Sequence, residues 1–461
     1  MARDGMNRRD FLKATAAGAG AMWLRGGGAA VAAAGAGRRK PNLVVIMADD
    51  LGYETIGANG GTSYKTPVLD KMAAGGVRFE HCYAQPLCTP TRVKLMTGMC
   101  NVRNYVRFGL LDPKQTTFAQ VLKKAGYATC VVGKWQLGGG LEGPGHFGFD
   151  EYCLWQLNRR PSRYASPGLE VNGKPVDYTN GDYGPAVVSD FACDFIERNA
   201  KRPFLVYYPM ILTHCPFEPT PDSPDWDPKS KGSKTYKGDA KYFGDMVAYM
   251  DKIVGKIAAK LDALGLRENT LLLFTGDNGT DKPVVSVLNG RKVAGAKGSM
   301  TDGGTRVPLI ASWPGTAAKG TVCRDLVDMS DFLPTLCECA GAAVPTERKL
   351  DGRSFLPQVR GEKGTPREWT YCWYSRSGAT AQAKEFARTQ RYKLYRTGKL
   401  YDVANDVLEK SPLGDWALSA DARKARALLQ KALDQFTDAR PAALNKPPKP
   451  KRRAKKAKQN A

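Results

Sequence analysis

The stretch PLCTPTRVKLMTG, residues 86–98, places one cysteine where a strand-like segment turns into a helix. Residues 77–84 have the apolar pattern of a strand. Pro90 fits the first turn of a helix, where its missing N–H costs no hydrogen bond. We therefore predict that Cys88 lies at or just before a helix N-terminus, where an anion would meet free backbone N–H groups. The alternative is a small buried cysteine, because free cysteine packs as an apolar side chain and this chain has eleven.

The spacing within this stretch carries a resemblance to a known family. The pattern Cys-x-Pro-x-Arg-x-x-x-Met-Thr-Gly, from Cys88 to Gly98, resembles the signature of the type I sulfatases in the alkaline phosphatase-like superfamily. In that family a separate formylglycine-generating enzyme oxidises the cysteine to formylglycine, and the arginine, here Arg92, steadies the hydrated aldehyde. The resemblance extends over about Pro41 to Arg440. It implies an α/β fold with a layered sheet flanked by helices and a smaller C-terminal antiparallel α+β subdomain.

Apolar runs and helical periodicities alternate along residues 41–350, which is the pattern of a layered α/β domain. We predict strands at 42–48, 77–84, 128–132, 204–210, 271–274 and 307–313 and helices at 66–72, 117–124, 187–198 and 239–264. Residues 138–183 are rich in Gly, Pro, Tyr and Arg. We expect them to form a long irregular surface insertion that shapes a substrate cleft.

A smaller subdomain is predicted for residues 351–440. Short antiparallel strands are expected at 369–374, 392–396 and 399–402, followed by a closing helix at 421–436. The Pro-, Lys- and Arg-rich residues 441–461 are expected to form a disordered basic tail.

The N-terminal 36 residues look like an export signal. The segment Arg8-Arg9-Asp10-Phe11-Leu12-Lys13 resembles a twin-arginine motif, and an Ala/Gly-rich segment with small-residue cleavage options near Ala34 or Ala36 follows it. The alternative is a cytosolic basic arm. The resemblance implies recognition by the twin-arginine export machinery and a bacterial periplasmic or cell-surface product.

The composition and net charge restrict the kinds of partner that the folded part of the chain can bind. The chain has 461 residues, 42% hydrophobic and 25% charged, and a formal net charge of +24. Residues 446–461 contribute +8 and residues 1–36 contribute +3, so +13 remains on the rest. A basic bias of this size favours anionic partners such as sulfated glycans, nucleic acid or a membrane surface. No apolar run reaches the roughly 18 residues of a membrane span.

Two acidic pairs each follow a predicted buried strand. Asp49 and Asp50 come after one strand, and Asp277 and Asn278 come after another. In an open α/β sheet these positions lie at the carboxyl edge, where ligands bind. Converging carboxylates require a cation, and oxygen ligands suit Ca²⁺ or Mg²⁺. The alternatives are a helix cap and a turn. The family resemblance implies one divalent ion, for which we expect Ca²⁺ in preference to Mg²⁺, bound by these four residues together with Cys88.

Three further positions match family motifs. Lys134 and Lys297 resemble the two lysines that contact the sulfate, although most lysines are solvated surface residues. His214 matches a histidine that protonates the leaving alcohol. His81 and His146 lie in no such motif, and we expect both to be structural.

Position 136 departs from the family pattern. Gln136 stands where most active relatives have a histidine thought to take a proton from the formylglycine hydrate. Glutamine can form a hydrogen bond to the same group but is not a base near neutral pH. Either Lys134 or a water takes the proton, or turnover is slow, or catalysis is lost. We favour an active subfamily with altered proton handling.

The resemblance thus implies a sulfatase that hydrolyses sulfate esters through formylglycine derived from Cys88. The basic charge favours a sulfated carbohydrate as substrate, with no stable nucleic-acid complex and no membrane span. Two alternatives stay open: a phosphate or phosphonate ester hydrolase of the same fold, and a catalytically impaired polyanion-binding protein. After Cys88 an even ten cysteines remain, and some of them could form disulfides.

Overall fold

Strand β1 (Asn42–Ala48) lies inside a ten-stranded sheet, and every one of its residues is buried. The computed structural model describes residues 39–179, 181–414, 416 and 418–445, which belong to one compact unit. The predicted signal segment at 1–36 and the tail beyond residue 445 lie outside the described residues.

The strands of the large sheet lie in the order β12-β2-β11-β8-β1-β7-β3-β4-β5-β6. They are β1, β2 (Val77–Tyr83), β3 (Ala128–Lys134), β4 (Glu151–Trp155), β5 (Gly168–Val171), β6 (Lys174–Asp177), β7 (Phe204–Pro209), β8 (Thr270–Gly276), β11 (Arg306–Ser312) and β12 (Thr321–Asp328). A separate hairpin contains β9 (Val285–Leu288) and β10 (Arg291–Ala294).

The helices are α1 (Pro67–Gly75), α2 (Cys88–Thr97), α3 (Asn101–Asn104), α4 (Phe118–Lys124), α5 (Gly143–His146), α6 (Gly184–Arg198), α7 (Phe243–Ala263), α8 (Asp302–Thr305), α9 (Phe332–Ala340), α10 (Leu356–Val359) and α11 (Ala420–Asp434). The predicted strands and long helices of residues 41–350 are therefore present, with ends shifted by a few residues. The α/β fold class is confirmed.

The irregular insertion predicted at 138–183 is only partly irregular. Strands β4, β5 and β6 lie within it and extend the large sheet beyond β3. They are four or five residues long, and β6 is mostly exposed. Such short strands lack the long apolar run by which a buried strand is recognised in sequence.

Both faces of the sheet are covered, which explains the continuous apolar character of β1. Side chains of a strand alternate between faces. Leu43, Val45 and Met47 pack into one core with residues of α2, α4, α9 and α11. The intervening residues pack into a second core with residues of α1, α6 and α7. Neither face of β1 is available to polar side chains.

The C-terminal segment forms the predicted small antiparallel sheet. Its strands are β13 (Thr370–Tyr374), β14 (Lys384–Arg388), β15 (Tyr392–Tyr395) and β16 (Leu400–Asp402), paired in that order. Tyr371 and Leu394 belong to the same apolar core as Phe79 of the large sheet. The two sheets thus share a core, and a boundary at residues 350/351 stays a prediction.

Candidate active site

The residues predicted to bind the metal or to act in catalysis lie at one edge of the large sheet. Strands β1, β7, β8 and β3 are mutually parallel, so their carboxyl ends meet at the same edge. Strand β11 is antiparallel to β8 and to β2. Hence the segment that precedes β11, which contains Lys297, ends at this edge, and the segment that follows β2, which contains Cys88, starts there.

Cys88 is the first residue of α2, and its side chain is buried. Leu87 before it is extended. The Thr91 hydroxyl donates to the Leu87 carbonyl oxygen at 3.1 Å, which fixes the first turn. Gly98 ends the helix in the left-handed region with φ of 67°, where Gly is favoured. The predicted placement of Cys88 at a helix N-terminus agrees with this geometry.

The neighbours of Cys88 leave it a protonated thiol. Its Sγ donates to Gln136 Oε1 at 2.8 Å, and the Thr89 hydroxyl donates to the same oxygen at 3.3 Å. Burial raises the pKa of the Cys88 thiol, although Lys134 opposes the increase. Because the thiolate is the reactive form of cysteine, the unmodified residue is a poor nucleophile at this position.

Three carboxylates converge next to this thiol. Asp49, Asp50 and Asp277 are fully buried. Ligand atoms of Asp49, Asp277 and Cys88 lie within 4.8 Å of one another, as do those of Asp49, Asp50 and His214. Burial raises the pKa of Asp277 to about 8, and the charge of Asp49 adds to the increase. Burial also raises the pKa of Asp50. Three such groups are costly to keep ionised together without cations.

Basic side chains compensate part of this negative charge. Lys134 Nζ donates to Asp49 Oδ2 and Lys297 Nζ donates to Asp50 Oδ2, each at 2.5 Å. Arg92 Nη2 donates to Asp277 Oδ2 at 3.2 Å. Burial alone would raise the pKa of Asp49, but the surrounding positive charges lower it below its usual value. Each carboxylate thus has one basic partner in direct contact.

Two short backbone features bring the lysines to this position. Gly133 has φ of 108°, and a Cβ there would lie 2.1 Å from the Pro209 carbonyl oxygen, so only glycine fits directly before Lys134. The Gly298 N–H donates to the Pro86 carbonyl oxygen at 2.9 Å. This bond holds the loop that carries Lys297 against the loop that carries Cys88.

The donor set fits a divalent cation. Asp49 Oδ1 and Asn278 Oδ1 are buried and have no hydrogen-bond donor among the described residues. An unsatisfied buried carboxylate oxygen beside two further carboxylates is unfavourable unless a cation binds there. Oxygen atoms of Asp and Asn are ligands typical of Ca²⁺ and Mg²⁺. Asp49, Asp50, Asp277 and Asn278 are therefore the residues that could hold the ion.

His214 lies beside Lys297. Its Nε2 lies 3.2 Å from Lys297 Nζ and 3.6 Å from Asp50 Oδ2. Its Nδ1 lies 2.5 Å from the Cys215 carbonyl oxygen and 2.9 Å from Arg163 Nη1. Burial, followed by the charge of Lys134, holds the pKa of His214 well below its usual value. The imidazole is therefore neutral before an anionic ligand enters.

A cavity of about 410 Å³ opens onto these groups. Besides Cys88, Lys134, Gln136, His214 and Lys297, its lining includes residues that the sequence motifs did not identify. They are Phe108, Trp155, Gln156, Arg160, Pro161, Arg163, Tyr236, Lys237, Asp281 and Arg376. The guanidinium of Arg163 lies 4.0 Å above the Trp155 ring. Both residues come from the 138–183 segment, whose Arg and Tyr content was the only sequence signal for them.

The two other histidines lie apart from this cavity. His81 Nδ1 lies 3.1 Å from the Tyr83 hydroxyl within β2. His146 Nε2 lies 2.7 Å from the Pro113 carbonyl oxygen, and its ring packs edge-on against Phe147. Neither lines the cavity, which agrees with the structural roles expected for them. The eleven cysteines all belong to the described residues, and each is a free thiol.

Comparison with known proteins identifies the family. A sulfatase family model matches residues 41–342, and a second model, described as N-sulphoglucosamine sulphohydrolase, C-terminal, matches residues 296–436. Arylsulfatase A of Homo sapiens is 33% identical over 77% of this chain and 75% of that protein. N-acetylgalactosamine-6-sulfatase of Canis lupus familiaris is also 33% identical, over 72% of this chain and 68% of that protein.

A solved structure shows the same architecture. The crystal structure of Ps i-CgsB in complex with k-i-k-neocarrahexaose superimposes with a TM-score of 0.72 at 26% identity and covers 87% of this chain and 94% of that chain. A twin-arginine translocation signal model matches residues 5–22, which places the protein on the export route to the periplasm or beyond. Within residues 39–445, as far as they are described, no helix is long and apolar enough to cross a membrane. The chain belongs to the sulfatase family in the alkaline phosphatase-like superfamily and is a sulfuric ester hydrolase.

Proposed function

We propose that this chain is an exported carbohydrate sulfatase whose reactive group is formylglycine, made from Cys88 by a formylglycine-generating enzyme. The observation that carries the proposal is the position of Cys88. Its thiol lies at a helix N-terminus, among buried carboxylates and lysines, with its pKa raised by burial. A cysteine protease would need the opposite, a lowered thiol pKa. Conversion to formylglycine removes this difficulty, because the hydrated aldehyde supplies an oxygen nucleophile.

The metal proposal concerns the four oxygen-bearing side chains at the sheet edge. Asp49, Asp50, Asp277 and Asn278 would hold one divalent ion, Ca²⁺ in preference to Mg²⁺. When bound, the ion supplies positive charge to the sulfate oxygens and to the group at position 88. The unpartnered oxygens of Asp49 and Asn278 support this assignment.

The basic side chains bind and orient the sulfate group. Lys134 and Lys297 line the cavity within 2.5 Å of the carboxylates, so a sulfate placed beside Cys88 would contact both. Lysine is well suited to hold the charge that develops on the ester oxygen as the S–O bond breaks. Arg92, which is buried beneath them, positions Asp277 and the Lys134 backbone.

His214 is proposed to protonate the departing alcohol. It lines the cavity beside Lys297. Its pKa is low in the ligand-free site, and a sulfate ester brings negative charge that raises it. The imidazole can then donate a proton to the leaving oxygen.

Gln136 supports an alternative. Its amide oxygen accepts a hydrogen bond from Cys88 and it offers no base, so a polyanion-binding protein with impaired catalysis would have the same site. The two functions differ in whether sulfate is released.

The decisive experiment measures that release. The protein is produced together with a formylglycine-generating enzyme, and free sulfate is quantified by ion chromatography. Sulfated glucosamine, sulfated galactan oligosaccharides and 4-nitrophenyl sulfate serve as substrates, and Cys88→Ala is the matched control. We expect release from a sulfated saccharide by the parent protein and none by Cys88→Ala. A protein with converted Cys88 that binds these saccharides and releases no sulfate would support the binding function. Faster hydrolysis of a phosphonate ester of the same alcohol would favour the phosphonate hydrolase.

A further inference from the structure

A second cavity adjoins the active-site cavity. It measures about 290 Å³ and is lined by residues 107–109, 136, 138 and 156–160. Phe108, Gln136, Gln156 and Arg160 line both cavities, so the two cavities share a wall. Gln136 and Gln156 in this wall have φ of 57° and 71°. Such backbone is strained in residues other than glycine and concentrates at ligand sites.

The second cavity is lined by basic residues and by no acidic one. Arg159 is already neutralised, because its guanidinium pairs with Glu170 at 3.2 Å and with Asp177 at 2.6 Å. Arg107 and Arg160 differ from it. Both are exposed, and neither forms an ion pair in the described part of the chain. Two guanidinium groups therefore face this cavity without a carboxylate to balance them.

A third guanidinium lies at the shared wall. Arg376 lines the active-site cavity and lies 5.1 Å above the ring of Phe108. It is also exposed and, within the described residues, has no carboxylate partner. Its backbone carbonyl accepts a hydrogen bond from the Phe108 N–H at 3.0 Å, which anchors it to the same loop as Arg107. Arg107 and Arg160 thus line the second cavity, and Arg376 lies at the wall that this cavity shares with the active-site cavity.

The physical chemistry of guanidinium selects the ligand. Arginine presents parallel N–H donors that match the oxygens of sulfate and carboxylate. Two uncompensated arginines line a cavity that adjoins a sulfate-ester site, and a third lies at the shared wall. This arrangement suits a substrate with more than one negative charge. A substrate with a single sulfate and an apolar body would leave these charges unused.

We propose that the second cavity binds a second anionic group, a sulfate or a carboxylate, on the sugar next to the one that is desulfated. This inference rests on the proposed function and narrows it to oligosaccharides that carry charge on adjacent sugars. Arg107 and Arg160 contact the second anion, and Arg376 orients the saccharide at the wall between the cavities.

The test measures binding in protein that cannot turn over. Cys88→Ala protein of full length is titrated by calorimetry with three disaccharides of one backbone. The first carries one sulfate, the second carries a further sulfate on the neighbouring sugar, and the third carries a carboxylate there. The test variant adds Arg107→Gln and Arg160→Gln. The matched control adds Arg360→Gln, which removes an exposed arginine that lines neither cavity.

We expect the double variant to weaken binding of a doubly charged disaccharide by about tenfold more than binding of the singly sulfated one, because charge-assisted hydrogen bonds are lost. Arg360→Gln should change the affinities for all three disaccharides equally and by less than about twofold. The charged disaccharide that shows the larger difference identifies the anion. Equal losses for all three disaccharides, or the same loss in Arg360→Gln, would overturn the inference.

The outcome is separable from that of the proposed function. If the double variant shows no difference between the disaccharides, this inference fails. Sulfate release by the converted protein is measured separately and does not depend on that result. Conversely, a protein that releases no sulfate can still show the predicted binding difference.

Discussion

Arg92 offers the most quantitative test of the charge arrangement at the sheet edge. Its side chain is about 1% exposed and reaches three acceptors. Nη1 donates to the Lys134 carbonyl oxygen at 2.7 Å, and Nη2 lies 3.2 Å from Asp277 Oδ2 and 3.8 Å from Asp49 Oδ2. We consider Arg92→Met, which keeps much of the side-chain volume and removes the charge.

The magnitude follows from these distances. At an effective dielectric constant of about 20, the attraction is ~5 kcal/mol at 3.2 Å and ~4 kcal/mol at 3.8 Å. Desolvation of the buried ions offsets much of this gain, and removal of one partner from a buried pair costs about 3 to 5 kcal/mol. We expect Arg92→Met to lower the free energy of unfolding by that amount in metal-free protein.

Urea denaturation followed by tryptophan fluorescence measures the loss. With a slope of about 3 kcal/mol per molar urea, the midpoint should fall by about 1 to 1.7 M. The matched control Arg360→Met removes an exposed arginine and should stay within about 0.5 kcal/mol of the parent protein. Saturating Ca²⁺ should reduce the effect of Arg92→Met, because the cation compensates the same carboxylates. A loss below about 1 kcal/mol in metal-free protein would refute the reasoning.

Three further outcomes are expected. Addition of Ca²⁺ after chelation with EDTA should stabilise the protein by about 2.7 kcal/mol at one hundred times its dissociation constant. Calorimetric melting should show that Asp50→Asn abolishes most of this stabilisation. Equal stabilisation of the parent protein and Asp50→Asn would argue against the metal site. Gln136→His should raise the rate of sulfate release by about tenfold or more, because it restores a base. The backbone at this position is in the left-handed region, which histidine tolerates. An unchanged rate would mean that another group takes the proton. Lys94→Met should lower the free energy of unfolding by about 3 kcal/mol or more, because Lys94 Nζ donates at 2.7 Å both to Asp328 and to the Tyr371 carbonyl oxygen. The control is Lys319→Met, which changes an exposed lysine. Equal urea denaturation midpoints for the two variants would contradict the expectation.

The central strands were predictable because burial on both faces leaves a continuous apolar run. Strand β1 was predicted at its observed bounds, residues 42–48, and the bounds of β7 and β8 were predicted to within one or two residues. Strands β4 to β6 were missed, since each has only four or five residues and lacks a long apolar run. Strand β14 was also missed. Its neighbours β13 and β15 in the small sheet were found because aromatic residues mark them.

The residues of the candidate site were also predictable only in part. Residues in local motifs, such as Cys88, Lys134 and Asp277, could be identified because each motif fixes its position relative to a strand end. Arg163 could not, because its contact with His214 depends on how a long loop folds back across the sheet edge. The same applies to Arg376, which comes from the loop after β13 and reaches the cavity only through the packing of the small sheet against the large one.

The most direct test of the central claim is mass spectrometry of the tryptic peptide Phe79–Arg92 from protein produced together with a formylglycine-generating enzyme. The account predicts an aldehyde at Cys88 in place of the thiol. An unmodified thiol at Cys88, in cells where a control sulfatase is converted, would contradict it.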